Sequence, residues 1–212
     1  MVIVNTVVIV RGLLGRPDTD MALALACFGG GSMLAALALP RVLDALPDRR
    51  VMLPAAGALG AVLMACAAVV WSSGAVPWMA LLVTWALLGL GYSAVQTPTG
   101  RLLRRSAKPA DRPALFAAQF ALSHACWLLT YPLAGWLGSA AGMPTTLAVL
   151  GSLTLLGAGL AAYLWPAADP EEIAHTHPEL SADHPHLREH GVQEHRHAHP
   201  FVIDDLHREW PA

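Results

Sequence analysis

The sequence predicts an all-α membrane protein, five complete spans after a first helix that is cut short, followed by a disordered His-rich tail; the resemblance drawn below makes these six helices one half of a larger bundle. Three observations carry this. Five apolar runs, Met21–Leu39, Val51–Trp71, Val76–Thr97, Pro113–Trp136 and Thr145–Trp165, are free of charge through their middles. Each reaches about the 20 residues that a helix needs to cross a hydrocarbon core of ~30 Å. The chain is 55% hydrophobic and only 13% charged, against about 25% charged in soluble domains. Charge also divides along the chain. Residues 1–168 hold ten Lys and Arg against five Asp and Glu, a net of +5, whereas residues 169–212 hold three Arg against ten acids, a net of −7. A membrane bundle over 1–166 and a polar tail over 167–212 follow.

The elements can be taken in order. Met1–Val10 is apolar but short, about 15 Å of helix, which reaches halfway across a bilayer. The expectation is a helix that continues upstream in a longer membrane protein, or a gene product begun at an internal Met; the alternative is a short helix that thins the bilayer or lies in it. The first complete run contains Gly29-Gly30-Gly31-Ser32. No Lys-Ser or Lys-Thr follows it, so it is no phosphate loop, and small residues in mid-span point to close helix packing. The connection Arg41–Arg50 carries Arg41, Arg49 and Arg50, and Gly100–Arg112 carries five further bases, while the segments near Ser72–Ala75 and Ser139–Met143 carry no charge. Basic short loops stay in the cytoplasm. Both basic loops and the C-terminus are therefore expected inside the cell and Gly15–Asp20 outside, in a bacterial inner membrane. Cys27, Cys66 and Cys126 are isolated in apolar runs and read as buried, reduced thiols.

Polar residues cluster by span. Trp85, Gly89, Tyr92 and Gln96 recur at helical spacing in one run; Gln119, Ser123 and Thr130 recur in the next, with His124 beside them. Such groups are costly in lipid and should face protein or a wet cavity. With Asn5 and Arg11 of the short first helix, Tyr92, Gln96, Gln119, Ser123 and His124 are the expected lining of a substrate or proton pathway. His124 is the ionisable residue deepest in a complete span. No nucleophile–base set or catalytic metal cluster appears in the membrane body, so an enzyme is not expected. Nothing points to nucleic acid.

The segment Arg41-Val42-Leu43-Asp44-Ala45-Leu46-Pro47-Asp48-Arg49-Arg50 resembles the loop motif of the major facilitator superfamily, roughly G-x-L-x-D-x-x-G-R-R. Asp44, Arg49 and Arg50 fall on its acidic and basic positions; Pro40, Ala45 and Pro47 depart from it, which suits the weaker second copy between helices 8 and 9. The resemblance implies that the spans are helices 7 to 12 of that fold. It also implies that a carboxylate in the loop pairs with its guanidinium groups as a gating element. Thr130–Gly138 would then be similar to the Pro/Gly-rich segment of antiporter helix 5. The implied activity is proton-coupled efflux, in partnership with the bilayer and with a missing N-terminal half or a second copy.

Nine of the ten His lie between His175 and His207. His175, His177, His184, His186, His190, His195, His197 and His199 alternate at spacings that chelate borderline metals. No cofactor is required, but Ni, Zn or Co bound by the tail is expected. The tail is similar to the His-rich cytoplasmic tails of nickel-resistance members, which implies nickel or cobalt as cargo. The alternatives are a drug or metabolite exporter with an unrelated tail, and a truncated, non-transporting protein that binds metal.

Overall fold

The computed structural model describes residues 1–168, 172–176, 180–181, 184–189, 196–200, 202 and 206–207. A short helix α1 (Val2–Val7) runs into a wider turn over Val8–Leu13, and five long helices follow: α2 (Asp18–Ala45), α3 (Asp48–Ser73), α4 (Trp78–Arg105), α5 (Arg112–Ala140) and α6 (Gly142–Leu164). All five long helices have the length and apolarity to cross a membrane. The membrane body holds no strand, because a backbone in hydrocarbon must satisfy its own hydrogen bonds.

Every predicted span is present, and the helices overrun the apolar runs at their basic ends. The expected ten-residue loop Arg41–Arg50 shrinks to Leu46-Pro47 between α2 and α3. A polar side chain past the hydrocarbon does not stop a helix; Pro47, which cannot continue α2's hydrogen bonding, does. Gly74 ends α3 at φ 80°, a left-handed conformation that glycine adopts without a Cβ penalty.

The first segment is irregular. Leu14 donates its backbone N–H to the Ile9 carbonyl five residues back, at 2.9 Å, so Val8–Leu13 forms a π-helical turn. Such a turn holds an extra residue and rotates the side chains beyond it. Arg11 there pairs with Asp18 at 3.2 Å, both well exposed.

α2 packs chiefly on α4, and α3 on α6. The α2–α4 crossing is backbone to backbone: a Cβ on Gly31 would overlap the Ala86 carbonyl, and one on Gly89 the Phe28 carbonyl. Gly29 and Gly30 meet nothing, so one glycine of the run makes the predicted close approach. Near the chain start, Trp85 Nε1 donates to Thr6 Oγ1 at 2.8 Å, and Thr6 donates to the Val2 carbonyl. By contrast α5 buries only Ala134 and Leu137. Its other faces lie open on the bundle. Cys126 is exposed there and Cys27 half-buried, so of the three thiols expected to be buried only Cys66 is.

The tail adds a small antiparallel ribbon, β1 (Glu172–Thr176) with β2 (Arg196–Pro200), and a short helix α7 (Pro185–Glu189). A disordered chain was expected over these residues. Ile173 is half-buried and Leu187 fully buried, so the few apolar side chains of this segment find cover.

Candidate functional site

α4 and α5 diverge around a concavity of about 480 Å3 on the open face of the bundle. Gln119, Ser123 and His124 enter it from α5, and Tyr92 and Gln96 from α4, with Phe116, Phe120 and Trp127 as walls. The five predicted side chains meet because i, i+4 and i+5 positions of α5 lie close to one helical face and Tyr92 and Gln96 are four apart on α4. Gln119 Nε2 donates to Ser123 Oγ at 3.3 Å. Among the described residues no Asp, Glu, Lys or Arg lines the concavity, so recognition there is by amide, hydroxyl, imidazole and aromatic groups.

A column of rings runs up α5. Phe120 and His124 have centroids 3.8 Å apart, His124 and Trp127 4.7 Å, and Trp127 and Tyr131 5.9 Å with planes within 8°. Tyr92 and Trp127 also line a second cavity of about 330 Å3 that reaches Phe28, Leu88 and Thr130. The polar column is thus continuous with an aromatic one.

Two predicted pathway residues lie elsewhere. Asn5 is fully buried between α1 and α5, its amide donating to the Ala134 carbonyl at 3.4 Å while its Oδ1 meets no donor. Arg11, in the turn that follows α1, is held by Asp18. The predicted stripe on α4 likewise divides. Tyr92 and Gln96 face the concavity, whereas Trp85 and Gly89 are consumed by packing on α1 and α2.

The loop pairing differs from the one the motif implies. Asp44 and Arg50 are exposed and form no ion pair among the described residues. The carboxylate that pairs is Asp48, the first residue of α3. Its side chain is 1% exposed and lies 3.1 Å from Arg101 Nε, and Arg101 Nη1 donates to the Leu43 carbonyl at 3.1 Å. One guanidinium therefore ties the ends of α2, α3 and α4. Arg49 points the other way. Its Nε donates to the Trp165 carbonyl at 3.0 Å and its Nη2 to the Ala162 carbonyl at 3.1 Å, satisfying orphan carbonyls at the end of α6. Only Pro47-Asp48 hinted at this in the sequence, as an acid placed to open a helix.

In the tail, His175 Nε2 lies 2.9 Å from His207 Nε2. His197 occupies the register position opposite His175, and His199 the one opposite Ile173. His177, His190 and His195 lie outside the described residues; His186, His197 and His199 are described in backbone only, and His184 is half-buried. Among the described residues no three His, Cys, Asp or Glu converge on a metal position.

Five membrane-length helices, a polar cavity on one open face and charges confined to the helix ends define a polytopic membrane protein of the carrier type. The profile of the Major Facilitator Superfamily matches residues 1–202. The chain belongs to that superfamily and is a membrane transporter protein by family. No curated protein and no solved structure matches it.

Proposed function

We propose that the chain forms one half of a proton-coupled exporter, with a substrate path along the α4–α5 concavity. The observation that carries this is the meeting of Gln96, Gln119, Ser123 and His124 in one concavity on the open face of α5. Such groups are unfavourable against lipid. A second six-helix bundle, an N-terminal half or a second copy, covers this face, and alternating access is the rocking of the two. The basic ends lie in the cytoplasm of a bacterial inner membrane, with the tail beside them, by the charge bias of the short loops. The Asp48–Arg101 pair, with Arg49 on α6, serves as the gating lock that the loop motif implies for Asp44, Arg49 and Arg50.

The test is His124→Ala in the assembled transporter, reconstituted in vesicles. Loss of pH-dependent flux is expected. Unchanged flux and pH dependence remove His124 from the mechanism.

A second reading concerns cargo. The His175–His207 contact, with His197 in register opposite His175, favours a tail that holds Ni, Zn or Co. Divalent-metal export follows if the tail feeds the path. The concavity itself supplies imidazole, amide and hydroxyl groups and, among the described residues, no carboxylate, which favours an uncharged organic cargo, as in a drug or metabolite exporter. Deleting residues 169–212 separates the two: lost nickel or cobalt tolerance supports metal cargo, and unchanged tolerance removes it.

A further inference from the structure

The imidazole of His124 is held by one hydrogen bond and two rings. Its Nδ1 lies 2.8 Å from the Phe120 carbonyl oxygen. A carbonyl oxygen has no proton to donate, so Nδ1 is the donor. Neutral His124 therefore carries its proton on Nδ1 and keeps a lone pair on Nε2. The ring sits between those of Phe120 and Trp127, tilted 34° and 51° to them. Phe120, His124 and Trp127 all border the concavity. Aromatic rings attract a neighbouring cation, so this sandwich tolerates an imidazolium without a carboxylate partner.

Among the described residues no charged side chain borders the concavity. Of the titratable side chains of α4, Tyr92 borders the concavity beside Gln96, and Arg101 is engaged by Asp48. On the first segment Arg11 is engaged by Asp18, and Met1, which bears the α-amino group, borders the adjoining cavity with Trp127 and Tyr131. Between Gly142 and Leu164, α6 contains one titratable side chain, Tyr163, near its far end. On α5 itself the titratable neighbours are Cys126 and Tyr131.

We propose that Nε2 of His124 is the atom that takes up and releases the proton, and that Phe120 and Trp127 are positioning residues that fix the ring for it. The step balances simply: the Nε2 lone pair binds a proton delivered by water, forming imidazolium, and the same N–H bond breaks on release. Nδ1 keeps its proton and its bond to Phe120 throughout. The inference rests on the proton-coupled reading for its use in transport, but the tautomer is testable without transport.

The experiment is nitrogen NMR of the full chain in lipid nanodiscs, with 15N-labelled imidazoles and His124→Gln to assign the signal by difference. At about pH 8 the His124 signal should show a protonated Nδ1 and a bare Nε2; on acidification Nε2 should gain the proton. Phe120→Leu and Trp127→Leu should each lower the ratio of Nδ1–H to Nε2–H forms, by about fivefold if roughly one hydrogen bond's worth of preference is lost. Phe120→Tyr, which keeps the ring, should restore it. A predominant Nε2–H form at pH 8 overturns the assignment. An unchanged ratio in both Leu variants overturns the role of the two rings. If the tautomer is as expected yet reconstituted flux does not depend on pH, proton coupling fails and the assignment stands.

Discussion

Gly31 and Gly89 show how much a single hydrogen atom decides in this bundle. Each presents a bare Cα to a carbonyl of the other helix, so a methyl group must push the α2 and α4 backbones apart. Overpacking of this kind costs about 1–3 kcal/mol. Gly31→Ala and Gly89→Ala are expected to lower the thermal midpoint in detergent, while Gly29→Ala and Gly30→Ala, facing open space, leave it unchanged. A uniform response across the four would remove the close crossing. Trp85→Phe keeps an aromatic ring but leaves Thr6 Oγ1 without its donor and a gap where the rest of the buried indole stood, and should cost at least about 1 kcal/mol in the same assay. The sequence showed that small residues crowd mid-span in α2. It did not show which of three adjacent glycines touches, because that depends on the rotation of α2 about its axis, set by contacts with distant α4 residues such as Ala86.

The helices themselves were legible, since apolar runs of bilayer length leave few alternatives. What joins their ends was not. Asp48 and Arg101 are 53 positions apart, and the motif pointed at Asp44 instead. The pair is also unequal: the Asp48 side chain is 1% exposed and that of Arg101 39%. Removing the carboxylate leaves a cation that water can still reach. Removing the guanidinium strands a buried anion. Arg101→Ala is therefore expected to destabilise the bundle more than Asp48→Ala, by about 2 kcal/mol, below the 3–5 of a fully buried pair because Arg101 is partly solvated. The double variant should recover part of that loss. Thermal unfolding of the three variants checks it, and an equal effect of the two single changes would sink the asymmetry. The concavity was half legible: spacing along α4 and α5 brought out Tyr92, Gln96, Gln119, Ser123 and His124, but Phe120 and Trp127, which hold the histidine, read as ordinary apolar residues of a span.

For the molecule as a whole, the tail's predicted chemistry has a definite pH sense. Metal ligation needs neutral imidazole, whose ordinary pKa is about 6.5, so affinity should fall as pH drops through that value. Calorimetry on the full chain is expected to give micromolar or tighter binding of Ni, Zn or Co at about pH 7.5 and much weaker binding at about pH 5. A chain without residues 169–212 should give none. Binding that survives this deletion would place the metal elsewhere. Arg49 has a consequence for where that chemistry happens. By gripping the Ala162 and Trp165 carbonyls, it pins the point from which the remaining chain departs. Six residues lie between Trp165 and Glu172, the first of β1, a fully extended reach of about 25 Å. The ribbon is thus on a leash no longer than the bundle is thick, anchored beside the Asp48–Arg101 junction, so its imidazoles stay at a high local concentration around that one end of the protein whatever the tail binds.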